Sequence, residues 1–108
     1  MDGLQRLSVY LNRLVSDKRI KPVHLALSLA ICRQWTNNQF ESSFQISRRL
    51  IMSSSHIRSK ATYHRVIKDL QNWGYVNYDP SYHPRIASTI TILLISINED
   101  NKNELATW

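Results

Sequence analysis

The chain has 108 residues, 43% of them apolar, and it carries 14 Lys and Arg against 8 Asp and Glu, for a formal net charge of +6. This length fits one domain and excludes a large two-domain enzyme with a cofactor cleft between its domains. The single cysteine, Cys32, excludes an internal disulfide and a CxxC metal or redox pair. Apolar runs such as Ile92 to Ile95 are far too short to span a membrane, so we expect a soluble, cytoplasmic protein.

The first predicted element is an amphipathic helix within residues 1–19. Apolar residues recur there at three- and four-residue steps: Leu4, Leu7, Leu11, Leu14 and Val15. This spacing predicts one apolar face, with Arg6 and Arg13 on the other side. Two roles stay open for this face. It closes the core of its own chain, or it pairs with a second copy in a homodimer, which is the role we favour.

The next element is a central helix at residues 22–37, which opens at Pro22 and is apolar on most faces. Cys32 lies within it and is expected to be a small buried side chain. A brief strand is expected at residues 44–46. Ser47 then caps a short helix that extends to about Met52, with Leu50 and Ile51 inward. Residues 53–58 are predicted to be a turn.

The most informative segment is the helix predicted from Lys60 to Trp73, capped by Ser59 and ended by Gly74. At 100° per residue, five side chains share one face and are expected to enter the core: Tyr63, Val66, Ile67, Leu70 and Trp73. The opposite face carries small, basic and hydrogen-bonding side chains: Ala61, His64, Arg65, Lys68 and Asn72. The helix therefore has one apolar face and one cationic face.

Strands at residues 75–78 and 88–97 are predicted to form a β-hairpin, followed by a polar tail at residues 98–108. The expected fold class is thus mainly α with a small β-hairpin. Residues 42–95 contain seven Lys and Arg against two Asp, which is the charge distribution of a surface that binds a polyanion such as nucleic acid.

A short basic helix, a turn and a second basic helix are typical of a helix-turn-helix, whose second helix enters the DNA major groove. Five residues near the start of that helix would meet base edges: Ser59, Lys60, Ala61, His64 and Arg65. Four cations are better placed for phosphates: Arg48, Arg49, Arg58 and Lys68. Three residues at the hairpin tip could reach the minor groove or the backbone: Tyr82, His83 and Arg85.

The stretch from Ser59 to Val76 resembles the winged helix-turn-helix family: Ser, a basic residue, Ala and Thr62 open the helix, a His-Arg pair and Leu70 follow, and Gly74 precedes an apolar strand. With its hairpin, the chain is also similar to small winged-helix proteins of mobile genetic elements. The resemblance implies a winged-helix domain at residues 20–97 with an extra N-terminal helix. It also implies sequence-specific binding of double-stranded DNA, often as a dimer, in transcription regulation or in element excision or replication.

Other functions are weaker interpretations of the same residues. A winged-helix domain can also serve as a protein-interaction adaptor, in which the N-terminal helix docks on a partner. The sequence has no paired carboxylates and no nucleophile elbow that would indicate an enzyme. Its histidines lack the closely spaced pairs of ligands that a zinc site needs. We therefore expect no enzymatic activity, no metal, no cofactor, no small-molecule ligand and no membrane, and we expect the protein to lie in the cytoplasm with the nucleoid.

Overall fold

The computed structural model describes residues 2–81 and 87–94, which form four helices and three strands. The helices are α1 (Gly3–Ser16), α2 (Pro22–Asn37), α3 (Arg48–Ser55) and α4 (Lys60–Asn72). The strands are β1 (Ser43–Ile46), β2 (Val76–Asp79) and β3 (Ser88–Ile92), and the chain runs α1-α2-β1-α3-α4-β2-β3. The predicted helices and a mainly helical fold are confirmed.

The strands form one antiparallel sheet in the order β1-β3-β2. In the middle strand Ile90 lies opposite Phe44 on one side and Tyr78 on the other. The prediction of a two-stranded hairpin was therefore incomplete, because the brief strand expected before α3 pairs with β3, whose residues lie 42 to 48 positions further along the chain, and adds a third strand. Alternation along β3 places Ser88, Ile90 and Ile92 in the core.

The core forms around α2. Leu27, Ile31 and Trp35 of this helix are buried, and they belong to one apolar cluster that also includes side chains of every other helix and strand. Cys32 is buried there as predicted, and burial raises the pKa of its thiol to about 12. A thiol in this environment stays protonated and is a packing group, not a nucleophile.

Helix α1 packs on the body differently from the prediction. Its buried side chains are Tyr10 and Leu14, but Arg6 and Arg13 also turn inward, so their expected place on the outer side was wrong. Arg13 donates to the carbonyl oxygens of Leu93 at 2.7 Å and Leu94 at 3.0 Å, and lies 4.4 Å from the centre of the Tyr75 ring. A guanidinium has five donors, and here they satisfy carbonyl groups where the chain leaves the sheet.

The end of α1 is held in place by Asp17, the residue that follows the helix. Asp17 accepts hydrogen bonds from the Arg19 guanidinium at 3.0 and 2.7 Å and from the Tyr75 hydroxyl at 2.7 Å. The bonds from Arg19 hold the pKa of the Asp17 carboxyl well below its usual range. Arg19 also lies 5.0 Å from the centre of the Trp73 ring. The carboxyl end of α1 is therefore fixed beside the carboxyl end of α4.

Helix α3 is longer than predicted. It continues past Met52 to Ser55, whose buried hydroxyl donates to the Ile51 carbonyl at 2.7 Å. His56 then takes the left-handed conformation with φ of 60° and ends the helix. The turn before α4 is consequently shorter than the predicted residues 53–58. Leu50, expected to point inward, is 60% exposed, because the helix is anchored by Ile51 one position further on.

Candidate nucleic-acid interface

Helix α4 is held by its apolar face. Four of the five predicted core side chains are buried: Tyr63, Val66, Ile67 and Leu70. The fifth, Trp73, is half-buried and packs 4.9 Å from the ring centre of His24. The Ser59 hydroxyl accepts the Thr62 N–H at 3.3 Å, which confirms the predicted N-cap. Packing and capping together fix the rotation of the helix about its axis.

The opposite face of α4 is open to solvent. The exposed residues include most of the side chains predicted to face DNA: Lys60, Ala61, His64, Arg65 and Lys68. Asn72 continues this face toward the end of the helix and is also exposed, whereas Thr62 is half-buried at its edge. The helix thus divides into a buried apolar side and an exposed basic side, as its sequence predicts.

Helix α3 and the following turn extend the basic surface. Arg48, Arg49 and Arg58 are exposed. Arg48 is close enough to Tyr63 that its charge opposes the rise in the phenol pKa that burial causes. This effect indicates that Arg48 of α3 lies near the buried side chain of Tyr63 on α4. We call the six exposed Lys and Arg side chains of α3, α4 and the turn between them the α3–α4 cations: Arg48, Arg49, Arg58, Lys60, Arg65 and Lys68.

Within residues 2–81 and 87–94, none of the α3–α4 cations forms an ion pair with a carboxylate. Among these residues, Asp17 forms an ion pair with Arg19, and Asp69 forms a hydrogen bond with His24. Residues 47–73 contain one carboxylate, Asp69, and it is turned toward α2. The positive field of the surface is therefore available to an external anion.

Asp69 is held by His24, a contact that the sequence did not reveal. His24 is 2% exposed, and its Nδ1 accepts the N–H of Lys21 at 3.0 Å. Because that bond uses the Nδ1 lone pair, the ring hydrogen is on Nε2, which donates to Asp69 at 2.9 Å. The contact joins α2 to α4 and removes the carboxylate from the basic face. The only sequence signal for it is a histidine in the first turn of an otherwise apolar helix.

A second polar network joins α4 to the sheet. The Tyr63 hydroxyl donates to that of Tyr78 at 3.3 Å, which donates to Ser88 at 3.3 Å, and Gln71 accepts the Tyr78 N–H at 2.9 Å. Burial, together with the hydrogen bond to Tyr78, raises the pKa of the Tyr63 phenol well above its ordinary value. The row of hydroxyl groups from Tyr63 through Tyr78 to Ser88 joins α4 to β2 and β3.

Three predicted site residues, Tyr82, His83 and Arg85, lie outside the described part of the chain. Among residues 2–81 and 87–94, no three His, Cys, Asp or Glu side chains are placed to hold a metal ion together. Over the same residues, no helix has the length and apolar character needed to cross a membrane.

No protein-family model, curated protein or solved structure matches the chain. The α3–α4 cations, and the helices and strands around them, are therefore the features that indicate a function.

Proposed function

We propose that the chain is a sequence-specific double-stranded DNA-binding protein of winged helix-turn-helix architecture, without enzymatic activity. The observation that carries the proposal is the exposed face of α4, where cations that have no carboxylate partner in the described part of the chain project from a helix anchored on its other side. The short turn between α3 and α4 and the sheet order β1-β3-β2 support the architecture.

In this proposal the first two turns of α4 enter the major groove, which is wide enough for one helix. Lys60 and Ser59 lie at its start, Ala61 is small enough to let the helix approach and can contact a thymine methyl, and Arg65 has the forked donors that suit guanine. His64 and Thr62 flank these contacts. Direct contacts to base edges supply the specificity.

The remaining cations hold the protein on the DNA backbone. Lys68 lies one turn beyond Arg65, and Arg48, Arg49 and Arg58 lie on α3 and the turn. Contacts of arginine or lysine with phosphates are strong but independent of sequence, because they release counterions from the duplex. These four residues would provide much of the affinity. The loop between β2 and β3 is proposed as the wing, with Tyr82, His83 and Arg85 on the minor groove or the backbone.

The biological setting that fits this activity is transcription regulation, or excision or replication of a mobile element, in the cytoplasm with the nucleoid. The adaptor hypothesis remains the second candidate, since Leu50 on α3 is a large apolar side chain open to solvent. Within the described part of the chain the α3–α4 cations have no carboxylate partners, and this favours DNA binding over the adaptor hypothesis.

The deciding experiment is selection of bound sequences from a random duplex pool by the full chain, followed by fluorescence anisotropy on the enriched site. We expect a defined sequence to be enriched, and Arg65→Glu and Lys68→Glu to weaken its binding sharply. Arg33→Glu is the matched control, because Arg33 is an exposed arginine on α2. Failure to bind any duplex at low salt would favour the adaptor.

A further inference from the structure

The outward side of α1 carries no charge. The two charged residues between Gly3 and Ser16 are Arg6 and Arg13, and both turn inward to donate to backbone carbonyl oxygens, Arg6 to that of Phe40 at 3.0 Å. The exposed positions of the helix are all neutral: Leu4, Gln5, Ser8, Asn12, Val15 and Ser16. In a chain with a net charge of +6, an uncharged helix face is a feature that requires an explanation.

Four side chains form a line along this side: Leu4, Ser8, Leu11 and Val15. Their steps of four, three and four residues average about 3.7, close to the 3.6 residues per turn of a straight α-helix, so the four side chains stay on one side along the whole helix. Leu4 is 73% exposed and Val15 is 71% exposed, so the two ends of the seam have no partner within the described chain. We call these four residues the α1 seam.

We propose that the α1 seam pairs antiparallel with the α1 seam of a second copy of this chain. A two-fold axis passing midway between Ser8 and Leu11 places Leu4 against the partner's Val15 and Ser8 against the partner's Leu11. The residue numbers of each pair then sum to the same value, as an isologous contact requires. Leu11 is half-buried against the core of its own chain, and its exposed part faces the small, exposed Ser8 of the partner.

Charge explains why the occupant is a second copy. Two chains that each carry +6 repel one another, and they approach best where neither presents a cation. An acidic or basic partner protein would be matched by charges on this face, and an anionic membrane would be met by lysines or arginines beside the apolar residues. Neither kind of charge is present among the exposed residues of α1.

The position of α1 leaves the basic face of α4 free in such a dimer. Asp17 and Arg19 fix the carboxyl end of α1 beside Tyr75 and Trp73, at the carboxyl end of α4. The amino-terminal turns of α4, where Lys60 and Arg65 lie, are at its other end. Pairing through α1 is independent of whether DNA is the ligand, so the two proposals can fail separately.

The test is sedimentation equilibrium of the full chain without DNA, from low micromolar to several hundred micromolar. Helix α1 has 14 residues and is about 21 Å long, so the contact is small and we expect a weak monomer–dimer equilibrium. Leu4→Glu and Val15→Lys each place an unpaired charge in the seam and should raise the dissociation constant roughly ten-fold or more. Leu50→Glu, at an exposed leucine on α3, should leave it unchanged.

The antiparallel register gives a second readout. An equimolar mixture of Leu4→Glu and Val15→Lys chains should recover association, because the two new charges face each other across the two-fold axis. A mixture of Leu4→Glu with Leu4→Lys chains should not. The proposal is overturned by a chain that stays monomeric at every concentration, by a dimer that both single variants leave intact, or by rescue in the second mixture instead of the first. Circular dichroism of each variant checks that helix content is retained.

Discussion

Replacing Arg65 and Lys68 one at a time distinguishes the two roles proposed for the α3–α4 cations, which are contact with base edges and contact with phosphates. Both side chains are exposed on α4, one turn apart. If Arg65 and Lys60 meet base edges, the other four α3–α4 cations remain for phosphates. At roughly −0.9 per neutralised phosphate, log K should fall against log salt with a slope of about −3.6. Lys68→Ala should bring the slope to about −2.7 and weaken binding equally on every sequence.

Arg65→Ala should behave differently. Loss of a bidentate contact to guanine costs about 1–3 kcal/mol on the selected site and much less on random duplex, with little change in slope. The assay is fluorescence anisotropy of labelled duplexes over a range of salt concentrations, with Arg33→Ala as the control for loss of an exposed cation elsewhere. Equal losses on both duplexes with a reduced slope would make Arg65 a phosphate contact, and a wild-type slope near zero would refute the electrostatic reasoning altogether.

Three predictions concern stability. A Cβ on Gly3 would lie 2.2 Å from the Phe40 ring, so Gly3→Ala should destabilise the fold by about 1–3 kcal/mol in thermal unfolding. Asp69→Ala leaves the buried Nε2–H of His24 without an acceptor and should lower the free energy of unfolding, measured with urea, by about 1–3 kcal/mol. The lowered pKa of Asp17 means that its carboxylate stabilises the fold above its ordinary pKa of about 3.9 and loses this effect as the pH falls below that value. Asp17→Asn should therefore flatten the acid limb of the stability–pH curve.

Each of these predictions has a matched comparison. Ser8→Ala adds no clash on the exposed side of α1, so it should not lower the melting temperature as Gly3→Ala does. Asp79→Ala removes an exposed carboxylate and should change the free energy of unfolding much less than Asp69→Ala does. An Asp17→Asn chain whose stability still falls steeply between about pH 4 and pH 2 would show that other carboxyl groups control acid unfolding.

The sequence determined the features that depend on periodicity and on local chemistry. The spacing of Tyr63, Val66 and Leu70 defined the buried side of α4 and therefore its exposed side, because helical geometry is fixed at 3.6 residues per turn. Ser47, Ser59 and Gly74 marked helix ends, since capping depends on residues adjacent in the chain. Most of the candidate interface could be predicted for this reason.

Tertiary structure decided which polar groups meet across long stretches of chain. Periodicity assigns Arg13 to the solvent, yet its side chain lies against Tyr75. The reason is that the segment leaving the sheet after β3 presents carbonyl oxygens, which need hydrogen-bond donors. His24 and Asp69 are 45 residues apart in sequence and form one contact, which leaves the basic face without its carboxylate. Such pairs depend on how α1, α2 and α4 are placed in space. Local spacing carries no information about that placement, because the contacts form only once the elements have packed.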